Sequence, residues 1–108
     1  MSEFYILKEG KISLTPDIRE WGQFMESKDK IVKQENVEIK GHKYYVSTIF
    51  LGIDHGFGFS KSSKPILFET MIFPEEESEN WEEYQTRCCT LEESIKQHQE
   101  AINFLKAF

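Results

Sequence analysis

The run from Tyr44 to Phe73, YYVSTIFLGIDHGFGFSKSSKPILFETMIF, constrains the fold more than any other stretch. Two apolar segments rich in β-branched and aromatic residues flank a glycine-rich loop, and such segments favour the pleated, half-buried surface of a strand. Lys43 to Leu51 alternates Tyr45, Ser47, Ile49, Leu51 against Tyr44, Val46, Thr48, Phe50. Both parities are largely apolar, so this strand is expected at the centre of a sheet and covered on both faces. Ile66 to Phe73 alternates Ile66, Phe68, Thr70, Ile72 against Leu67, Glu69, Met71, Phe73, with Glu69 its one ionisable residue. A hairpin that pairs Leu51 with Ile66 sets Thr48 opposite Glu69, within reach of a hydroxyl-to-carboxylate hydrogen bond.

The connection, Gly52 to Pro65, is longer than the roughly two to five residues of ordinary hairpin loops and falls in the range where loops carry function. Gly52, Gly56 and Gly58 permit positive φ and close approach of backbone to a ligand. Asp54 and His55 offer polar contacts there, and Phe57 and Phe59 offer stacking surface. A ligand pocket at this loop is the expectation.

The rest of the chain reads as support. Phe4 to Leu7 is a short apolar run ending at Glu9-Gly10, and Ile12 and Leu14 follow in alternation, which fits a small hairpin or a pair of edge strands. Thr15-Pro16-Asp17 opens a helix with Thr15 as the cap, and Ile18, Trp21 and Met25 recur at helical spacing beside Phe24. Ile31 to Ile39 alternates, with a turn expected at Glu35-Asn36 and another at Gly41-His42. An acidic connection, Pro74 to Glu79, precedes a strand from Trp81 to Arg87 with Tyr84 inward. Thr90 and Glu93 form a capping box for a last helix reaching about Ala107. Its apolar stripe, Leu91, Ile95, His98, Ile102, Leu105, places His98 in the buried middle. The expected fold class is α+β: an antiparallel sheet of four to six short strands with two helices packed on one face, as a single domain over 1–108.

Charge and composition exclude several function classes. The formal net charge is −6 and no Lys/Arg-rich run exists, so binding of nucleic acid through a basic face is not expected. The N-terminus carries acidic Glu3 and an apolar run of only four residues, unlike a secretory signal. No stretch approaches the roughly 20 apolar residues of a membrane helix. The two cysteines, Cys88 and Cys89, are neighbours that do not suit a disulfide with each other, which fits a reducing cytoplasm. No phosphate-binding loop, dinucleotide fingerprint, G-x-S-x-G or HExxH spacing occurs, so no cofactor, metal or catalytic set is assigned.

With these residues placed, the chain resembles a family of small proteins recurring in phage and prophage genomes. The matching runs are Val46-Ser47-Thr48-Ile49-Phe50-Leu51-Gly52-Ile53-Asp54-His55 with Phe57-Gly58, then Pro65 through Phe73, then Arg87 through Glu93 on to His98. Trp21 to Glu26 is similar to the family's first helix. Cys88 departs from the pattern, where a tyrosine is expected. The resemblance implies phage context, and with it a host-cell cytoplasm, and carries no activity.

The candidate site residues are Thr48, Asp54, His55, Phe57, Glu69, Arg87 and His98. The last helix, packed on the sheet, is expected to bring His98 near Glu69. The functional expectation is a small accessory protein acting by binding, through the 52–65 loop and a free sheet face, on a host protein or a small nucleotide-like ligand. The second apolar face suggests a homo-oligomer. The alternative is a small metal-dependent or acid–base hydrolase using His55, Glu69 and His98.

Overall fold

Two hairpins begin from the same backbone device. Glu9 and Gly10 have φ of 50° and 78°, and Lys40 and Gly41 have φ of 50° and 83°. Paired positive φ values mark the two-residue hairpin turn whose twist matches the strands it joins. The first turn joins β1 (Phe4–Lys8) to β2 (Lys11–Thr15), and the second joins β3 (Ile31–Ile39) to β4 (His42–Phe50). The computed structural model describes residues 3–55, 64–76, 81 and 83–107. It adds α1 (Ile18–Glu26), a 3-10 turn at Lys28–Lys30, β5 (Phe68–Pro74), β6 (Tyr84–Cys88) and α2 (Leu91–Lys106).

The fold is α+β and antiparallel throughout. β1 and β2 form one small sheet, while β3-β4-β5-β6 form a second in sequence order. The single sheet of four to six strands expected is thus six strands divided between two sheets. β3 runs through Glu35-Asn36 without turning, because the φ > 0 residues that allow a tight reversal lie at Lys40-Gly41. The cap of α1 is Asp17, not Thr15: Asp17 Oδ1 accepts from Arg19 N at 2.9 Å. Thr15 is the last, buried residue of β2, and its hydroxyl accepts from Asp17 N. The capping box of α2 stands as read, with Thr90 and Glu93 each accepting from the other's backbone N–H.

Register fixes which residues share a face. On the α2 side three rows cross the sheet: Phe50, Phe68 and Cys88; then Thr48, Thr70 and Thr86; then Val46, Ile72 and Tyr84. The first row joins Tyr5, Leu67, Phe24 and Met25 in one apolar cluster. The third joins Ala101, Ile102 and Leu105 in another. The helix buries Ser94, His98, Ala101, Ile102 and Leu105, and Ile95 is 54% exposed. The expected stripe is thus rotated, with Ser94 inward in place of Ile95. β4 is central as expected: its α2 side supplies the core residues Val46, Thr48 and Phe50, and on the other side Ser47 is buried while Tyr45 and Ile49 are half-buried.

Gly52 is the joint between the two sheets. Its carbonyl accepts from Tyr5 N of β1 at 2.9 Å and from the Trp21 indole of α1 at 3.2 Å. Its φ is +76°, and an added Cβ would lie 2.7 Å from both Met25 Sδ and Trp21 Nε1. Gly41, at φ +83°, has no neighbour within 4 Å of such a Cβ. Gly41→Ala is expected to cost about 1 kcal/mol, the left-handed backbone penalty alone. Gly52→Ala is expected to cost about 3 kcal/mol, from that penalty plus overpacking. Urea denaturation of both variants checks this, and equal losses contradict it.

Candidate functional site

The middle row of the sheet is polar, and α2 lowers a histidine onto it. Thr48 Oγ1 lies 2.6 Å from Thr70 Oγ1 and 2.7 Å from His98 Nδ1. His98 Nε2 lies 2.8 Å from Glu35 Oε1 of β3. Thr48 is fully buried, and Thr70 and His98 are each 1% exposed. An ionised carboxylate only accepts, so Nε2 carries the proton toward Glu35. In the neutral ring Nδ1 then accepts from the Thr48 hydroxyl, and the Thr48 oxygen accepts from Thr70. Three strands and α2 are joined by one directed chain. Lys33 Nζ stands 3.6 Å from the same Glu35 oxygen. The His98 hydrogen bond, opposed by desolvation and helped by Lys33, holds the Glu35 carboxyl below its usual 4.5. Thr86 Oγ1, next in the row, and Gln97 Oε1 are buried atoms without a partner among the described residues.

Glu69 does not take part. The β4–β5 register sets Thr48 opposite Thr70 and Ile49 opposite Glu69, one residue from the expected pairing. A one-residue slip moves every side chain to the other face. Glu69 therefore lies on the face away from α2, where Arg87 Nε donates to it at 2.9 Å and Gln85 Nε2 also donates. The cause lies at the loop neck. Ile66 is held by the loop, its N–H donating to Asp54 Oδ1 at 2.8 Å and its carbonyl accepting from His55 N at 3.0 Å. The Leu51 N–H consequently donates to Leu67, not Ile66. His55 Nδ1 sits 2.8 Å from the Ile53 carbonyl.

The expected residues thus divide among three places. Thr48 and His98 meet in the core, Glu69 and Arg87 meet on the opposite face, and Asp54 and His55 close the loop neck. Phe57 lies outside the described residues. Glu35 and Thr70 complete the buried chain and were not among the residues expected. Their signal was parity: Glu35 alternates in phase with Val37 and Ile39, and Thr70 with Phe68 and Ile72. Among the described residues, no three His, Cys, Asp or Glu side chains converge as a metal set. Burial pushes the Cys88 thiol up to about 11 and also raises Cys89, so neither is a ready thiolate nucleophile.

The face away from α2 is built differently. Its rows are Ile31, Ile49, Glu69 and Arg87; Gln34, Ser47, Met71 and Gln85; Asn36, Tyr45 and Phe73; and Glu38 with Lys43. Glu75 extends the last row, its N–H donating to the Lys43 carbonyl at 2.9 Å. Both core clusters draw their β4, β5 and β6 side chains from the other face. Phe73 is 45% exposed. An open depression of about 630 Å³ lies at the end farthest from the loop, lined by Asn36, Glu38, Lys43, Tyr45, Phe73 and Glu75 among others. The Tyr45 and Phe73 rings stand 6.4 Å apart at 37°. No described helix is long and apolar enough to cross a membrane.

Compared with known proteins, the chain matches no family model, no curated protein and no solved structure.

Two outcomes test the buried chain. A carboxyl whose folded pKa is depressed stabilises the fold above its unfolded pKa, and that stability disappears as pH falls through the folded value. Glu35 therefore contributes fully above 4.5 and loses its contribution below it. In urea melts from about pH 6 to 3, Glu35→Gln is expected to lack this acid-side component; an unchanged slope contradicts the pairing. His98→Leu and Thr48→Val are each expected to cost about 2–3 kcal/mol by orphaning a buried partner. The double variant is expected to cost about 1 kcal/mol less than their sum, since it removes both partners together. Strict additivity argues against the contact.

Proposed function

We propose that the chain acts by binding, not turnover, as a phage or prophage accessory module that engages a host protein through the open sheet face. The observation that carries this reading is the segregation of the two faces. Polar groups suited to acid–base chemistry, Thr48, His98 and Glu35, are closed on one another beneath α2, with the hydroxyl out of reach of any substrate. The opposite face presents Ile49, Met71, Tyr45 and Phe73 beside charged and amide side chains. That mixture of aromatic anchors with a polar surround is how protein interfaces are composed. The neck of the 52–65 loop, at Asp54 and Ile66, lies at one end of this face and the depression at the other.

A hydrolase using His55, Glu69 and His98 needs the three side chains to converge. Glu69 and His98 stand on opposite sides of one sheet. A nucleotide-like ligand is the weaker version of the binding reading, because the depression holds Glu38 and Glu75 against one Lys43.

A photo-crosslinking benzoylphenylalanine at position 71 is expected to give a discrete adduct with one host protein in bacterial cells. The same group at position 95, exposed on α2, is expected to give none. An adduct at twice the chain's mass assigns the face to a second copy instead. Equal adducts from both positions, or none from position 71, defeat the reading.

A further inference from the structure

The open depression has a chemistry of its own. We infer that it receives a guanidinium group, an arginine side chain of the partner protein, held against the Tyr45 and Phe73 rings by Glu38 and Glu75. The inference rests on the open face being the binding surface and names what one end of it recognises.

Three features of the depression select a cation. The first is its rim. Glu38 and Glu75 flank Lys43 from the two neighbouring strands, all three are exposed, and the local sum is one negative charge. Among the described residues the ion pairs are Lys33–Glu35, Arg87–Glu69 and His98–Glu35, and neither Glu38 nor Glu75 forms one with a described cation. The second is its wall. Aromatic faces carry the negative lobe of the ring quadrupole and attract a cation placed over them. Phe73 stays nearly half exposed here although it is a large apolar ring. The third is the field of the whole chain, net −6, which draws cations and repels anions at long range. A phosphate would meet two carboxylates and one ammonium, so the site discriminates against it.

Guanidinium fits better than ammonium. It is planar, stacks on an aromatic ring while its N–H fork meets a carboxylate, and sheds water more easily. The Asn36 side-chain amide, in the same row as Tyr45, supplies a further acceptor oxygen. The volume of about 630 Å³ exceeds one guanidinium and admits the arginine stem with flanking backbone.

The test is an amide NMR titration of the full chain with acetyl-Gly-Gly-Arg-Gly-Gly-amide and its citrulline counterpart, which keeps the shape and removes the charge. The arginine peptide is expected to shift Asn36, Tyr45 and Phe73, and citrulline to bind about tenfold more weakly. Combined Glu38→Gln and Glu75→Gln is expected to lower arginine-peptide affinity about tenfold with the spectrum otherwise intact. Glu92→Gln, exposed on α2, is expected to leave it unchanged. Equal binding of citrulline, or shifts spread over α2 and abolished equally by Glu92→Gln, overturns the inference. Failure of the arginine peptide with success of the position-71 crosslink removes the cation pocket and leaves the open-face reading. Specific arginine binding with no crosslink does the reverse.

Discussion

His98 bridges Glu35 and Thr48, and the arrangement of the whole sheet side follows from that bridge. A buried polar group must keep its hydrogen bonds or cost about 1–3 kcal/mol for each one lost. Both ring nitrogens are engaged, one by a carboxylate and one by a hydroxyl. The requirement fixes the rotation of α2, which turns Ser94 inward and Ile95 out. It uses the β4–β5 register set at the loop neck, which brings Thr70 opposite Thr48 and passes the chain onward. It also divides the apolar core into two clusters, with the threonine row between the phenylalanine-rich end and the end packed on Ile102 and Leu105.

The set Thr48, His98 and Glu35 has the composition of a nucleophile, a base and an orienting acid. Position decides against that use. The hydroxyl is fully buried and bonded to a second threonine, so a substrate would have to displace α2 to reach it. The same residues are well suited to specify one packing of helix on sheet, since any other rotation leaves a buried group unpaired. The face that α2 does not cover stays outside this chain of hydrogen bonds. That division matches the general habit of rigid scaffolds carrying recognition on exposed surfaces.

Much of this was legible in the sequence. The central strand, the capping box at Thr90, the break at Glu9-Gly10 and the burial of His98 all follow from local chemistry. The partner of His98 did not. Periodicity shows that a residue faces inward, yet it does not say which strand passes beneath. The Glu69 expectation failed by a single residue, because Asp54 and His55 capture Ile66 at the loop neck and delay the ladder to Leu67. No propensity scale encodes that capture. Turns were read at both Glu35-Asn36 and Gly41-His42; the chain reverses only near the second, at Lys40-Gly41, where a glycine relieves the positive φ. The two-sided apolar pattern of β4 was read as burial on both sides; the α2 side is fully buried at Val46, Thr48 and Phe50, and the Tyr45, Ser47 and Ile49 side is buried only in part.

His98 acts as a sealed structural bridge between Glu35 and Thr48 rather than as a working acid–base group. The nitrogen NMR shifts of its imidazole test this directly. A single tautomer, protonated at Nε2 and bare at Nδ1, is expected, with an Nε2 proton that exchanges slowly with water. Averaging between tautomers, or rapid exchange of that proton with solvent, would contradict it.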